Sequence, residues 1–508
     1  MENEFKTEKI ILKKEKFMSN IEQLIENDLS LPDYYGDIVK ILGTSAQTNI
    51  FSASITGDKA VIDGVVLVRV LYVDAAAKTE IYEISCPFNR NIDVKNACDS
   101  DMVDVMSVSE QISCRAVNPR RADIRGSVTL RVCVSGAEEN TIITETPKDF
   151  CHTLKCSANG SFLKSCSSKS FSLSESSEPD EKLRNAKIVR VSSLPVVNEI
   201  KTIKNKMMIR GNLAADVVLL SQSGNFFSER VDMHVSQIID IDGIDEDSQC
   251  LVNMKVGSID VRISPDTPSA PPHIEASAVV CAVTDVMKKA DITAISEAYS
   301  PSHELICQSG TIRCITSVQR INENHTVSAK HDFSSCKAVS VIDVAVKKIR
   351  YTVHTENKNI VFKGNILFSI IVMSEDGEKF CFERISDFEY KSQSNEEITD
   401  FEFSPVVSVN SLNFSIGSDG AVAVDTEIRI DGWLYVFREM NALSQIEKGE
   451  EMKRDTSDSV ITVYFASSGE RLWDIARSHN TSCELIRTLN SLNEDILDKD
   501  CMLVLEQE

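Results

Sequence analysis

The sequence predicts a mainly β chain: three β-rich repeats of sandwich or open-barrel type, followed by a small βααβ module. Three observations carry that expectation. Hydrophobic residues make up 42% of the chain but aromatics only 6%, so the apolar content is largely aliphatic, and its branched residues favour strands. Apolar and polar residues alternate with period two over many short stretches, as half-buried antiparallel strands require. One pattern also recurs three times at a domain-sized interval.

That pattern is an alternating stretch that reaches a Gly and runs on as a period-two strand. It reads DKAVIDGVVLVRVLYVD around Gly64, NKMMIRGNLAADVVLLSQSG around Gly211 and NKNIVFKGNILFSIIVMSEDG around Gly364; the glycines are 147 and 153 residues apart. A lead strand precedes each copy, beginning near Asp33, Ala186 and Ala338. A further strand follows a polar turn (EIYEISCPFNRNIDV, FSERVDMHVSQIIDI, CFERISDFEYKSQ), and a hairpin-like pair closes each copy. In the closing arms, Val128, Leu130 and Val132 of the first copy have Ile428, Ile430 and Trp433 as counterparts in the third. The recurring Gly reads as a bulge or a close backbone approach within a strand.

The Ser-rich stretch from Ser157 to Ser177 has the composition of a linker, yet it aligns with EKIILKKEKFMSN and TSVQRINENHTVSAKHDF before the other copies. It is therefore expected to be the first strand and turn of copy two. Linkers are expected near 137–150, 288–305 and 446–459. The repeats so bounded are 1–137, 150–288 and 305–445, with the terminal module at 459–506.

From Val460 the texture changes to strand, helix, helix, strand. The first strand alternates as Ile461, Val463 and Phe465. Ser468-Gly469 is expected to form a turn and N-cap, and Leu472, Ile475 and Ala476 share one helical face. Asn480-Thr481-Ser482 breaks that helix and caps the next, whose apolar positions are Leu485, Ile486 and Leu489. A polar loop from Ser491 to Asp500 leads into the closing strand Met502–Leu505.

This run resembles a LysM domain. Gly469, Leu472, Trp473, Ile475, Ala476, Leu485, Asn490 and Leu503 match that family in kind and order. The resemblance implies a shallow groove for N-acetylglucosamine-containing glycans, between the first strand–helix turn and the loop before the last strand. Carried over by position, one side takes Ser468, Gly469, Glu470, Arg471 and Leu472. The other takes Leu492, Asn493, Glu494, Asp495 and Ile496. Trp473 is either a helix residue packed on the sheet or an aromatic anchor of an interface. Two departures move the expectation towards protein docking through the same face. Glu470-Arg471 stands where the family has Asp-Thr, and Asp498-Lys499-Asp500 replaces its Pro-Gly turn.

Three long repeats before a terminal LysM-type module resemble the SPOCS-domain proteins of spore-forming Firmicutes, over nearly the whole chain. That resemblance implies a spore coat assembly protein acting in the mother-cell cytoplasm, at the forespore surface or spore coat. Its partner would be the coat morphogenetic ATPase SpoIVA, which builds the basement layer and is contacted through the LysM region.

Charge and composition narrow the alternatives. A net charge of −23 disfavours binding to nucleic acid or to an anionic membrane face. No apolar run is long enough for a transmembrane helix, and the charged N-terminus lacks the apolar region of a secretory signal. Fifteen cysteines with no CxxC fit a reducing cytosol, while leaving cross-linking in an oxidising coat open.

No enzymatic constellation is evident. The eight histidines are isolated, and no HExxH, zinc-type His–Cys spacing, phosphate-binding glycine pattern or GxSxG elbow occurs. No catalytic residue, metal site or cofactor is therefore expected. Asp245-Glu246 and Glu396-Glu397 read as solvated turns, and His331-Asp332 beside Cys336 is the one cluster that resembles an activated thiol. The expectation is a non-enzymatic scaffold that docks a coat protein. A peptidoglycan-binding protein is the alternative, and a wall hydrolase the third reading.

Overall fold

Residues 5–147, 150–264, 271–394, 398–452 and 461–506 are described by the computed structural model. The first repeat runs β1 (Lys6–Ser30), β2 (Ile38–Thr56), β3 (Lys59–Asp74), β4 (Thr79–Asp93), β5 (Met102–Asn118) and β6 (Arg121–Glu145). The second runs β7 (His152–Ser176), β8 (Lys187–Ile203), β9 (Lys206–Leu220), β10 (Phe226–Asp240), β11 (Gln249–Ile263) and β12 (Ile274–Tyr299). The third runs β13 (His303–Asp332), β14 (Ala338–Glu356), β15 (Asn359–Ser374), β16 (Lys379–Gln393), β17 (Phe401–Phe403), β18 (Val406–Ile416) and β19 (Ala421–Glu451). The Ser-rich stretch is indeed a strand, β7.

In every repeat the first strand pairs antiparallel with the last, the three strands after the first form a meander, and the strand or strands before the last pair with its other edge. The first repeat thus has one sheet ordered β1-β6-β5 and another ordered β2-β3-β4. Ile25, Ile124 and Leu130 of the first sheet pack on Ile62, Val68 and Tyr72 of the second. The second repeat buries Ala276 and Val280 against Met207, Ile209 and Leu213 in the same way. The third sets Val424, Ile428 and Ile430 against Phe362, Ile366 and Phe368. Full burial of each large aliphatic side chain contributes about 1.5–3 kcal/mol, which favours one register over a one-residue slip. Each repeat is a sandwich with one edge nearly closed. In the first, the Thr44 hydroxyl of β2 donates to the Ile112 carbonyl of β5 at 2.7 Å.

The recurring glycines mark a close backbone approach. A Cβ on Gly64 would lie 2.5 Å from the Asn49 carbonyl oxygen and 2.6 Å from the Phe88 ring. The corresponding distance is 2.2 Å from Gly211 to the Val196 oxygen, and 2.1 Å from Gly364 to the Arg350 oxygen. A side chain is excluded because the neighbouring strand's backbone fills its place.

Of the segments expected as linkers, 148–149 and 453–459 lie outside the described residues, and most of the rest is strand. Residues 137–145 belong to β6, 288–299 to β12 and 446–451 to β19. Each continues the pairing of first strand with last, as from Ile10↔Asn140 to Thr7↔Ile143 in the first repeat. The three resulting ribbons bury Ile10, Ile142, Phe162, Ile292, Ile312 and Met440 in a shared core. A second cluster, Ile143, Ile295, Leu443 and Ile446, lies further along. A ribbon buried on one face has sparse apolar residues among charges, which is why its composition resembles a linker. Elsewhere the three meanders meet through Leu42, Leu71, Val189, Leu220 and Ile371.

The terminal module is β20 (Ile461–Ala466), α1 (Leu472–Ser478), α2 (Cys483–Asn490) and β21 (Cys501–Glu506), with β20 and β21 antiparallel. The chain is therefore mainly β with a βααβ module at its end. No helix among the described residues is long and apolar enough to cross a membrane.

Candidate functional site

The module's core explains which of its residues are free to act. Leu472, Ile475, Ala476, Ile486, Leu503 and Leu505 are buried together. Ser482 caps α2 by accepting from the Leu485 amide at 3.2 Å. The cap of α1 differs from expectation. Arg471 occupies that position without a side-chain cap bond, because the Ser468 hydroxyl instead donates to the Asp498 carbonyl at 3.0 Å.

The two sides of the expected groove are zipped together. The Gly469 amide donates to Leu497 O at 2.8 Å, Leu472 N to Asp495 O at 2.8 Å, and Leu497 N to Glu470 O at 3.0 Å. Ser468 N donates to Asp500 Oδ1 at 2.7 Å. Arg471 forms a two-pronged pair with Asp474 at 2.7 and 2.9 Å, and the Tyr464 hydroxyl donates to Glu470 at 3.2 Å. Arg487 pairs with Asp495. Asn493, Glu494, Asp495 and Ile496 are exposed, while Leu492 is half-buried against the core. Leu472 is a correction: it is fully buried and lines no groove.

Trp473 is a second correction to the interface-anchor reading. It is only 8% exposed, its ring meets Tyr299 of β12, and its indole N–H donates to Glu297 at 2.9 Å. The Tyr299 hydroxyl donates to the Thr481 carbonyl at 2.7 Å, and Arg477 lies 3.4 Å from Glu297. The indole is thus used to seat the module on the end of the second repeat, and its face is not available to a partner.

The free apolar surface lies on the opposite side of the sheet. Ile461, Val463 and Phe465 were legible as an alternating strand, but they point outward, at 61%, 51% and 76% exposure. Across the ladder Val463 faces Val504 and Phe465 faces Met502, both also exposed. Two strands therefore present five contiguous apolar side chains to solvent. Period-two alternation identified this stripe but not its side, because Tyr464, Leu503 and Leu505 form the other stripe and face the helices.

The remaining candidates do not converge. His331 Nε2 lies 3.2 Å from Ser386 Oγ, Asp332 accepts from the Ser334 amide at 2.9 Å, and the Cys336 thiol donates to the Phe333 carbonyl at 3.2 Å. Burial lowers the His331 imidazole pKa, with Arg384 adding to it. Asp245 is held by Ser248 at 2.6 Å and by Lys164 at 3.7 Å, as a turn residue would be. Glu396-Glu397 lies outside the described residues. No group of three or more metal-ligating side chains occurs among the described residues.

Two segments of the chain, 37–117 and 186–264, match the family described as SipL, SPOCS domain. These segments span β2–β5 and β8–β11, the inner strands of the first two sandwiches, and leave the long first and last strands outside. In those two segments the chain is similar to that family. No curated protein matches the chain.

Proposed function

We propose that this chain is a non-enzymatic scaffold of spore coat assembly. Its module, of LysM type, docks a basement-layer protein of the SpoIVA kind, and the three sandwiches hold that module in place. The carrying observation is the outward stripe of Ile461, Val463, Phe465, Met502 and Val504. A contiguous apolar patch of this kind on a soluble surface marks an interaction site. The SPOCS match supports the sporulation context, and the docking of Trp473 on Tyr299 supports a rigid mount.

The alternative is a glycan-binding protein using the groove. Against it, amides and carbonyls on both sides of the groove already bond to each other, and Arg471 is held by Asp474. Those groups would have to exchange partners to receive an N-acetyl group.

Affinity capture from sporulating cells tests the reading, using the intact chain, a Phe465→Asp variant and an Arg471→Ala variant. The expected result is capture of the basement-layer ATPase by the intact chain and by Arg471→Ala, and its loss in Phe465→Asp. Retention on purified peptidoglycan, without any captured ATPase, would sink the proposal.

A further inference from the structure

A cavity of about 660 Å³ lies where the three repeats meet. Each repeat contributes the same two strands to its wall: β2 and β5 from the first, β8 and β11 from the second, and β14 and β18 from the third. The first repeat adds Asn20 of β1 and Thr129 and Arg131 of β6. A neighbouring hollow of about 420 Å³ shares Asn20, Arg131, Tyr351 and Pro405 with it, which gives the cavity a mouth beside Arg131.

The wall has a charge opposite to that of the chain. The sequence holds 77 acidic residues against 54 basic ones. Yet the described wall carries Arg131, Arg190, Lys255, Lys347, Lys348 and Arg350, with Glu110 its one carboxylate. Asp343 holds Arg190 at 3.0 and 3.3 Å, and Asp104 holds Lys255. Lys347 donates to the Thr44 carbonyl and faces Glu110. Arg131, Lys348 and Arg350 make no ion pair or hydrogen bond among the described residues. Lys348 feels the repulsion of Arg350 and the attraction of Glu22.

Unpaired cations gathered in a partly desolvated concavity repel one another, and a bound anion relieves that repulsion. Two guanidinium groups and an ammonium suit the oxygens of a phosphate, since Arg grips two oxygens at once. Ser107, Ser192 and Ser193 add hydroxyls to the same wall. The volume is that of a small-molecule site and is too large for a single monatomic ion. We propose that this cavity binds a multiply charged, phosphate-bearing small anion, held by Arg131, Lys348 and Arg350.

Calorimetric titration of the full chain with inorganic tripolyphosphate, at fixed ionic strength, tests this. Saturable binding of one anion per chain is expected, together with a rise in thermal midpoint when the anion is present. A Lys348→Glu/Arg350→Glu double variant should bind about tenfold more weakly or worse, and Arg131→Glu likewise. Lys169→Glu, on an exposed part of β7, should bind as the parent does. If the double reversal does not fold, Arg350→Gln, at an exposed position, carries the test with the same expected direction. Absence of saturable binding, or equal binding by the parent and the folded cavity variants, overturns the proposal.

Discussion

The Trp473 indole meets the Tyr299 ring edge-on, with centroids 4.8 Å apart and planes at 69°. The two residues lie 174 positions apart, and their contact joins the terminal module to the second repeat. An aromatic pair of this geometry adds about 0.5–1.5 kcal/mol beyond its buried area. Tyr299→Phe keeps the ring and removes the bond to the Thr481 carbonyl. It should lower the module's stability by about 1 kcal/mol, and Tyr299→Ala by about 3 kcal/mol or more. In a Trp433→Phe background Trp473 is the sole indole, so urea titration followed by its emission reads both changes. Unchanged midpoints would show that the module is held by other contacts.

The repeat glycines make a separate prediction. Gly364→Ala would force a methyl group to 2.1 Å from the Arg350 oxygen and 2.9 Å from the Phe388 ring. Overpacking of that kind should cost about 2–3 kcal/mol, seen as a lower denaturation midpoint. Gly310→Ala is the control, since nothing lies within 4 Å of its added Cβ. It should be neutral or slightly stabilising.

Glu110 couples stability to pH. Burial pushes its carboxyl pKa up to about 7, with Lys347 partly opposing the rise. Between pH 4.5 and 7 the unfolded chain releases this proton while the folded chain keeps it. Stability from this group is therefore full below pH 4.5, falls as pH rises to 7, and stays reduced above. The loss is on the order of 3 kcal/mol. Comparing the pH dependence of unfolding for the parent and Glu110→Gln isolates this slope from other carboxylates. Parallel curves would contradict it.

Arg190 and Asp343 join the second repeat to the third through a two-pronged pair that is largely buried. Asp343→Asn leaves the guanidinium short of a counter-charge and should cost about 2 kcal/mol. A double-mutant cycle with Arg190→Met should return most of that loss as coupling energy. Additive effects would place the repeat junction in its apolar contacts instead.

Much of each repeat was legible because its information is local. The lead strands, the glycine strands and the strand after each polar turn all carry period two. Gly64, Gly211 and Gly364 announced a close approach before any partner strand was known. The βααβ order of the module was legible for the same reason, down to the Ser482 cap. Partners were not legible. Alternation says that a strand has two faces, not which strand it pairs with, so Ile10↔Asn140 stayed hidden and the ribbon ends looked like linkers.

A mainly β chain, its repeat period and its acidic excess were readable before any fold was known. Each follows from residue type and spacing. The packed fold set Ile461, Val463 and Phe465 towards solvent and covered Trp473. It also decided that cations from separate repeats gather in one cavity. Those outcomes depend on which surfaces meet between segments apart in sequence, and pairwise burial settles that where local pattern cannot.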